Sequence, residues 1–333
     1  MRNRLLLPLS LVGVSALALA GCSSTDAGAA ADSADGDAVR IVTSTTVYAD
    51  IVEDIVGDAA EVEPVIDSAS VDPHDYEATA RDGLTVQDAD LVVMNGGGYD
   101  TFMEALVEDA GVEHVVNAVE YSPAYPGDEE AGHDHEHEGE DHDHEHEHAE
   151  EGHDHEHIEG FNEHVWYDPE TIRGLTEALQ TELTELVPDA QGDIEAGAEQ
   201  VLADVDALTE KLGGIRAEHE GDTAFFTEPV GGYLADAAGL EDATVEGFAE
   251  AVEHGEDVAP AILNNALKAI EGGDVSVLVA NAQTGGSETE RVIQAAEDAG
   301  VPVIEFTETV PDGTGFFEWM NDNADALEGA LAG

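Results

Sequence analysis

Two similar α/β halves bridged by one long helix are the fold predicted by this 333-residue sequence. Three observations predict it. Short β-branched and apolar runs alternate with helical stripes through residues 39–116, a pattern that argues for parallel strands with right-handed crossovers. The same alternation returns from residue 223 onward. Between the two stretches, Ile194, Ala198, Val201, Val205, Leu208, Leu212 and Ile215 recur at steps of four and three, the spacing of one buried helix face.

Taken in order, residues 39–44 read as a strand, and Val47, Ile51, Ile55 and Val56 form a helical stripe behind Thr45 and Thr46 as a cap. Residues 61–66 read as a second strand, followed by a loop over 67–75. The unbroken apolar run 91–94 suits a buried parallel strand and stops at Asn95-Gly96-Gly97-Gly98. A helix over 102–110 and a strand over 112–116 follow. Pro169 and Glu170 open a helix that turns Ile172, Leu175, Leu179 and Leu183 inward and that Pro188 stops. The bridging stripe predicts a helix over 193–217, about 37 Å long at 1.5 Å per residue. The second half reads as strands over 223–226, 244–248, 275–279 and 301–306, interleaved with helices over 232–238, 259–270, 288–299 and 316–331. A helical bridge of this kind restricts the halves to small relative motions.

The first residues look like an address. Arg2 and Arg4 precede an apolar run from Leu5 to Ala20, and Leu19-Ala20-Gly21-Cys22 closes it. This is a short signal-type segment, too short to span a bilayer as a mature helix. Cys22 is the only cysteine, so no disulfide framework exists, and it stands where bacterial lipoprotein signals place the residue that receives lipid. The expected organisation is a signal peptide over 1–22, a flexible tether over 23–37, a first α/β domain over 38–189, a linker helix over 190–219 and a second α/β domain over 220–333. The mature chain is expected outside the cytoplasmic membrane, held by its N-terminal lipid, as a monomer. The net charge of −68, with Lys211 and Lys268 the only lysines, speaks against a nucleic-acid partner. Residues 128–157 hold 15 of the acids and no base, which leaves −53 elsewhere, so the acidity is global. It reads as solubility in a salty or metal-rich exterior.

The chemistry centres on residues 132–169. This stretch begins as a tract of alternating histidines and acids, with His133, His135, His137, His142, His144, His146, His148, His153, His155 and His157. Imidazole and carboxylate ligate first-row metals, and such a composition packs no core. The tract, within a loop over 128–160, is expected to gather or sense a divalent metal, with a plain solubilising linker as the alternative. His164 differs, because Val165, Trp166 and Tyr167 beside it allow one fixed geometry. Three further residues sit at strand ends, where open α/β sheets bind ligands: His74 in Asp72-Pro73-His74-Asp75-Tyr76, Glu228 after Ala224-Phe225-Phe226, and Glu308 in Phe306-Thr307-Glu308-Thr309. Glu305 and Asp312 remain alternatives to Glu308. His114, His219 and His254 read as surface or cap groups. Asn281-Ala282-Gln283 is a candidate support for the site.

On these residues the chain resembles the metal-specific solute-binding lipoproteins of bacterial ABC transporters, those that take up zinc or manganese. Asp72-Pro73-His74-Asp75-Tyr76-Glu77 is similar to the family's Asp-Pro-His motif, and Glu163-His164-Val165-Trp166-Tyr167-Asp168-Pro169 to its second ligand segment. Zinc-uptake members carry a His/Asp/Glu-rich loop between the two. Thr227-Glu228-Pro229 stands where many zinc members have a third histidine, similar to members that use Glu, and Glu308 best matches the usual fourth-ligand Asp. The resemblance implies a metal site in the cleft between the domains, formed by His74, His164, Glu228 and Glu308, and delivery of the ion to a membrane permease with a cytoplasmic ATPase.

Charge balance agrees with that set. Two neutral imidazoles and two carboxylates cancel a dication, and a neutral site is far cheaper to enclose in low dielectric than a charged one. Two nitrogens and two oxygens suit tetrahedral Zn²⁺, while the carboxylates also admit Mn²⁺. The histidine-rich tract favours zinc. Affinity is expected to fall below about pH 6, where imidazoles protonate. No enzymatic activity is expected: outside the acidic tract there is no His-Glu-x-x-His, and no nucleophile elbow occurs. The competing readings are an extracellular zinc hydrolase, a metal buffer or adhesin without transport, and a siderophore binder, which the scarcity of Arg, Lys and aromatics disfavours.

Overall fold

A computed structural model describes residues 38–68, 71–127, 158 and 160–333. Cys22 and the ten tract histidines lie outside the described residues. Two four-stranded parallel sheets form the frame. The first contains β1 (Arg40–Thr45), β2 (Glu61–Ile66), β3 (Leu91–Met94) and β4 (Val115–Asn117), in the order β2-β1-β3-β4. The second contains β5 (Thr223–Phe226), β6 (Glu241–Asp242), β7 (Val277–Asn281) and β8 (Val303–Phe306), in the order β6-β5-β7-β8. The two sheets therefore repeat one topology. Every strand pairing is parallel, as short apolar strands separated by helices require.

In the first half, α1 (Thr46–Val56) follows β1 and buries Val47, Ile51, Ile55 and Val56. Thr45 stands at its N-cap position without a side-chain cap bond, so the predicted cap is positional only. A helix with no counterpart among the predicted elements, α2 (Ala80–Gln87), lies beyond the predicted loop and begins at a capping box between Thr79 and Asp82. Next come α3 (Thr101–Ala110) and β4, which starts three residues later than predicted. Gly111 closes α3 in the left-handed conformation at φ 68°, and the chain needs further residues to turn before pairing. Asp168 caps α4 (Pro169–Leu186), its carboxylate accepting from the amides of Glu170 and Thr171, with Pro169 at the first helical position.

The bridge is α5 (Gln191–His219), 29 residues long. Its stripe from Ile194 to Ile215 is buried throughout. It packs on α1 and α4 of the first half and on α6 (Gly232–Ala237) and α10 (Phe316–Leu331) of the second. At Gly197 the approach is close enough that a Cβ would meet the carbonyl of Ile55. The largest hydrophobic cluster consequently runs without a break from Ile41 and Trp166 to Phe306 and Trp319.

The second half departs from expectation at one element. The predicted strand over 244–248 is absent; β6 is the two-residue edge strand Glu241–Asp242, and Phe248 instead opens α7 (Phe248–Glu253) and is buried. Helices α8 (Pro260–Gly272) and α9 (Ser287–Ala299) and strands β7 and β8 stand where the periodicity placed them, within two residues. Among the described residues no helix is long and apolar enough to cross a membrane.

Candidate metal centre

Each candidate side chain is positioned by a short rigid segment. His74 lies on the loop after β2, where Asp72 accepts from its backbone amide at 2.9 Å and Pro73 limits the chain. Its ring stands edge-on to Tyr99 at 4.8 Å. His164 is fully buried just before the 3-10 turn Val165–Tyr167. Asn162 Oδ1 accepts from the His164 backbone amide at 3.0 Å and lies 2.9 Å from ring Nδ1. An amide oxygen only accepts, so Nδ1 carries the proton and Nε2 keeps the lone pair a metal needs. The Asn162 side-chain NH₂ also donates to the Pro229 carbonyl at 2.9 Å, tying this histidine to the second half. Tyr167 adds another tie, donating to the Thr307 carbonyl at 2.6 Å while its ring stacks on Phe306.

The carboxylates come from the ends of the second sheet. Glu228 follows β5 and Glu308 follows β8, and both are buried. Asn281, at the end of β7, donates through one side-chain nitrogen to both of them, at 2.7 Å to Glu228 Oε2 and 2.6 Å to Glu308 Oε1. Thr284 also bonds Glu228, and the Glu308 amide donates to Gln283 Oε1. The predicted supporting role of Asn281 and Gln283 is thus visible as hydrogen bonds. Gly231, at φ 79°, lets the turn after Glu228 pass the ring of Phe306, which a Cβ would strike.

Ligating atoms of His74, His164 and Glu308 all lie within 4.8 Å of one another, and His74 Nε2 is 3.8 Å from Glu308 Oε2. The imidazoles of 74 and 164 face each other edge-on with centroids 5.9 Å apart. Two donors each about 2.1 Å from one zinc ion are about 3.4 Å apart at a tetrahedral angle, so a small contraction would close the set. The structure brings three of the four predicted residues directly together; Glu228 joins through the shared Asn281 amide. Glu305 and Asp312, the alternatives to Glu308, are both exposed.

Sequence reasoning missed Glu253, at the end of α7. Its side chain is 7% exposed, and Oε1 lies 3.8 Å from His164 Nδ1. It also lies within 4.8 Å of donor atoms of His74 and Glu163. A lone Glu closing a short helix, in a chain with 77 acids, gives no signal in sequence. Electrostatics follow from this crowding. Burial first, then Asp72 and Glu228, push the Glu308 carboxyl up to about 8. Burial, then Glu163, Glu228 and Glu308, push Glu253 up to about 10. Burial likewise raises Glu228, with Asp72 adding to it. Carboxylates held this far from water and this close together call for a cation.

A cavity of about 800 Å³ opens over these residues, lined by Asp72, His74, Asp75, Glu253, Glu256 and Glu288 among others. Paired parallel sheets, a helical bridge and a buried His/Glu cluster between strand ends define a solute-binding protein of the bridged two-lobe class. The chain belongs to the family described as "Zinc-uptake complex component A periplasmic", whose model matches residues 41–330. Among characterised relatives, it is 29% identical over 243 residues to the high-affinity zinc uptake system protein ZnuA of Bacillus subtilis, covering 72% of this chain and 70% of that one. It is 28% identical over 200 residues to the manganese-binding lipoprotein MntA of Halalkalibacterium halodurans, covering 60% of this chain but 56% of the relative. The periplasmic zinc-binding protein TroA from Treponema pallidum shares the fold, with a TM-score of 0.67 at 20% identity over 88% of this chain and 99% of that one.

Proposed function

We propose that this protein captures a divalent transition metal outside the cytoplasmic membrane and hands it to the permease of an ABC transporter. The ion is its cargo, and Zn²⁺ is favoured with Mn²⁺ as the alternative. His74, His164, Glu228 and Glu308 hold it, in the cleft between lobes 38–189 and 220–333 bridged by residues 190–219. The mature chain works as a monomer anchored through a lipid on Cys22. The observation that carries this reading is the convergence of His74, His164 and Glu308 donor atoms within 4.8 Å, from segments far apart in the chain. The relatives named for zinc and manganese binding support both metals, and the nitrogen content of the set leans to zinc.

The test uses a built-in reporter. Trp166 lies 5.2 Å from His164, ring to ring, so its fluorescence responds to an ion held at His164. Titration with Zn²⁺, Mn²⁺ and quenching Co²⁺ should give one saturable site. His164→Ala should weaken it at least about a hundredfold, beyond the 10–100-fold usual for groups that only support a ligand. An unchanged titration in that variant would sink the assignment.

A further inference from the structure

The carboxylate that the four-residue set leaves unused is Glu253, and it does not stand alone. Donor atoms of His74, Glu163 and Glu253 lie within 4.8 Å of one another, as do those of His74, His164 and Glu308. His74 is common to both groups. The groups differ in depth. His74 and Glu253 line the 800 Å³ cavity, with Glu163 buried, whereas of the second group only His74 lines it; His164, Glu228 and Glu308 are buried and line none of it. Glu253 Oε1 is buried and makes no hydrogen bond, although its carboxylate sits among other acids. A buried acceptor without a donor is costly, and a cation would satisfy it.

On this geometry we propose that His74, Glu163 and Glu253 form a second, outer cation site, which a divalent metal ion occupies first on its way to the inner set. The proposal rests on the reading of the cleft as a metal centre. The charges match at both stations. One imidazole with two carboxylates cancels a dication, as two imidazoles with two carboxylates do, so the ion crosses without an unbalanced charge at either end. The chemistry gives direction. The outer set has three donors, two of them oxygen; the inner set has four, two of them nitrogen, and holds zinc-like ions more tightly. His74 needs to release nothing in passing: it stays on the ion while Glu163 and Glu253 are exchanged for His164, Glu308 and Glu228.

Two measurements on the full chain decide it, both read from Trp166 fluorescence with Co²⁺. In the double variant Glu228→Gln/Glu308→Gln, the inner carboxylates are gone. One quenching site should remain, about a hundredfold weaker than in the native chain, as expected when part of a donor set is lost. Adding Glu253→Gln to that double variant should weaken the residual site at least about tenfold further. In the native background, stopped-flow mixing should show Glu253→Gln slowing association about tenfold. Glu256→Gln, which removes another carboxyl from the same cavity wall, should change it less than about twofold, separating a donor from general steering. Absence of a residual site, a residual site indifferent to Glu253, an unchanged association rate, or equal slowing by both single variants would each overturn the outer site. Failure of the native chain itself to respond to Co²⁺, Zn²⁺ or Mn²⁺ would instead overturn the metal centre on which it rests.

Discussion

The two halves share a strand order yet bring different chemistry to the cleft. The first supplies both imidazoles, His74 and His164, braced by Asp72, Asn162 and the Tyr99 and Trp166 rings. The second supplies carboxylates, Glu228 and Glu308 at strand ends and Glu253 on a helix end, with Asn281 spanning the first two. In the inner set the first half supplies the neutral nitrogen donors and the second the charge that balances a dication, so neither half offers the full donor set alone. The site exists only where the halves meet, and its metal preference can be altered from one side without touching the other.

Among changes on the second half alone, the largest expected effect comes from removing the brace on the oxygen side. Asn281→Ala leaves Glu228 and Glu308 facing each other without their common donor, and metal affinity should fall about 10–100-fold by titration, the range found when a ligand's hydrogen-bond partner is lost. A change under twofold would show that the carboxylates hold their own positions. Next in size, Glu228→His carries nitrogen across to the second half. The ratio of Zn²⁺ to Mn²⁺ affinity should rise about tenfold, since imidazole favours zinc over manganese, and an unchanged ratio would remove Glu228 from the ligand set. The smallest effect is in pH. Because burial pushes the Glu308 carboxyl up to about 8, an ion bound there at neutral pH would displace a proton. Affinity should fall about fivefold from pH 8 to 7 by proton linkage, and more steeply below about pH 6 as imidazoles protonate. The metal-free protein behaves oppositely. Its raised carboxyls bind more protons folded than unfolded, so their contribution to stability is present in full below the ordinary carboxyl range and is lost as pH rises through about 8 for Glu308 and about 10 for Glu253. Thermal melts of chelator-treated protein across pH 5–9 check this sign.

What could be read from sequence divides along the same seam. Strands β1, β2, β3 and β5 were legible as apolar runs, and α5 from its unbroken stripe, because burial on one face imposes a period. β6 was not, since its two residues, Glu241 and Asp242, are exposed acids on an edge, while Phe248 nearby carried the apolar signal that belongs to a helix. α2 was overlooked although Thr79 and Asp82 spell its cap, because only Val86 of its residues is buried and Leu84 is 64% exposed. In the site, His74 and His164 stood out as rare residues in distinctive surroundings. Glu228 and Glu308 were found through strand ends and resemblance. Glu253 had neither guide, and only its burial against two imidazoles distinguishes it from the chain's other acids.

The helix α5 has a consequence for how the molecule comes apart. Because its buried stripe is shared by both halves, and the largest core cluster continues through it from Ile41 to Trp319, each half keeps only a smaller cluster of its own, around Val92 and Phe102 in the first and Phe225 and Leu278 in the second, and would lose the shared one with its partner. Calorimetry should therefore record a single endotherm in place of two, and bound ion should raise the whole of it. Release of a bound ion is then expected through small rearrangements at the seam, since wide separation of the sheets would expose the cluster they share.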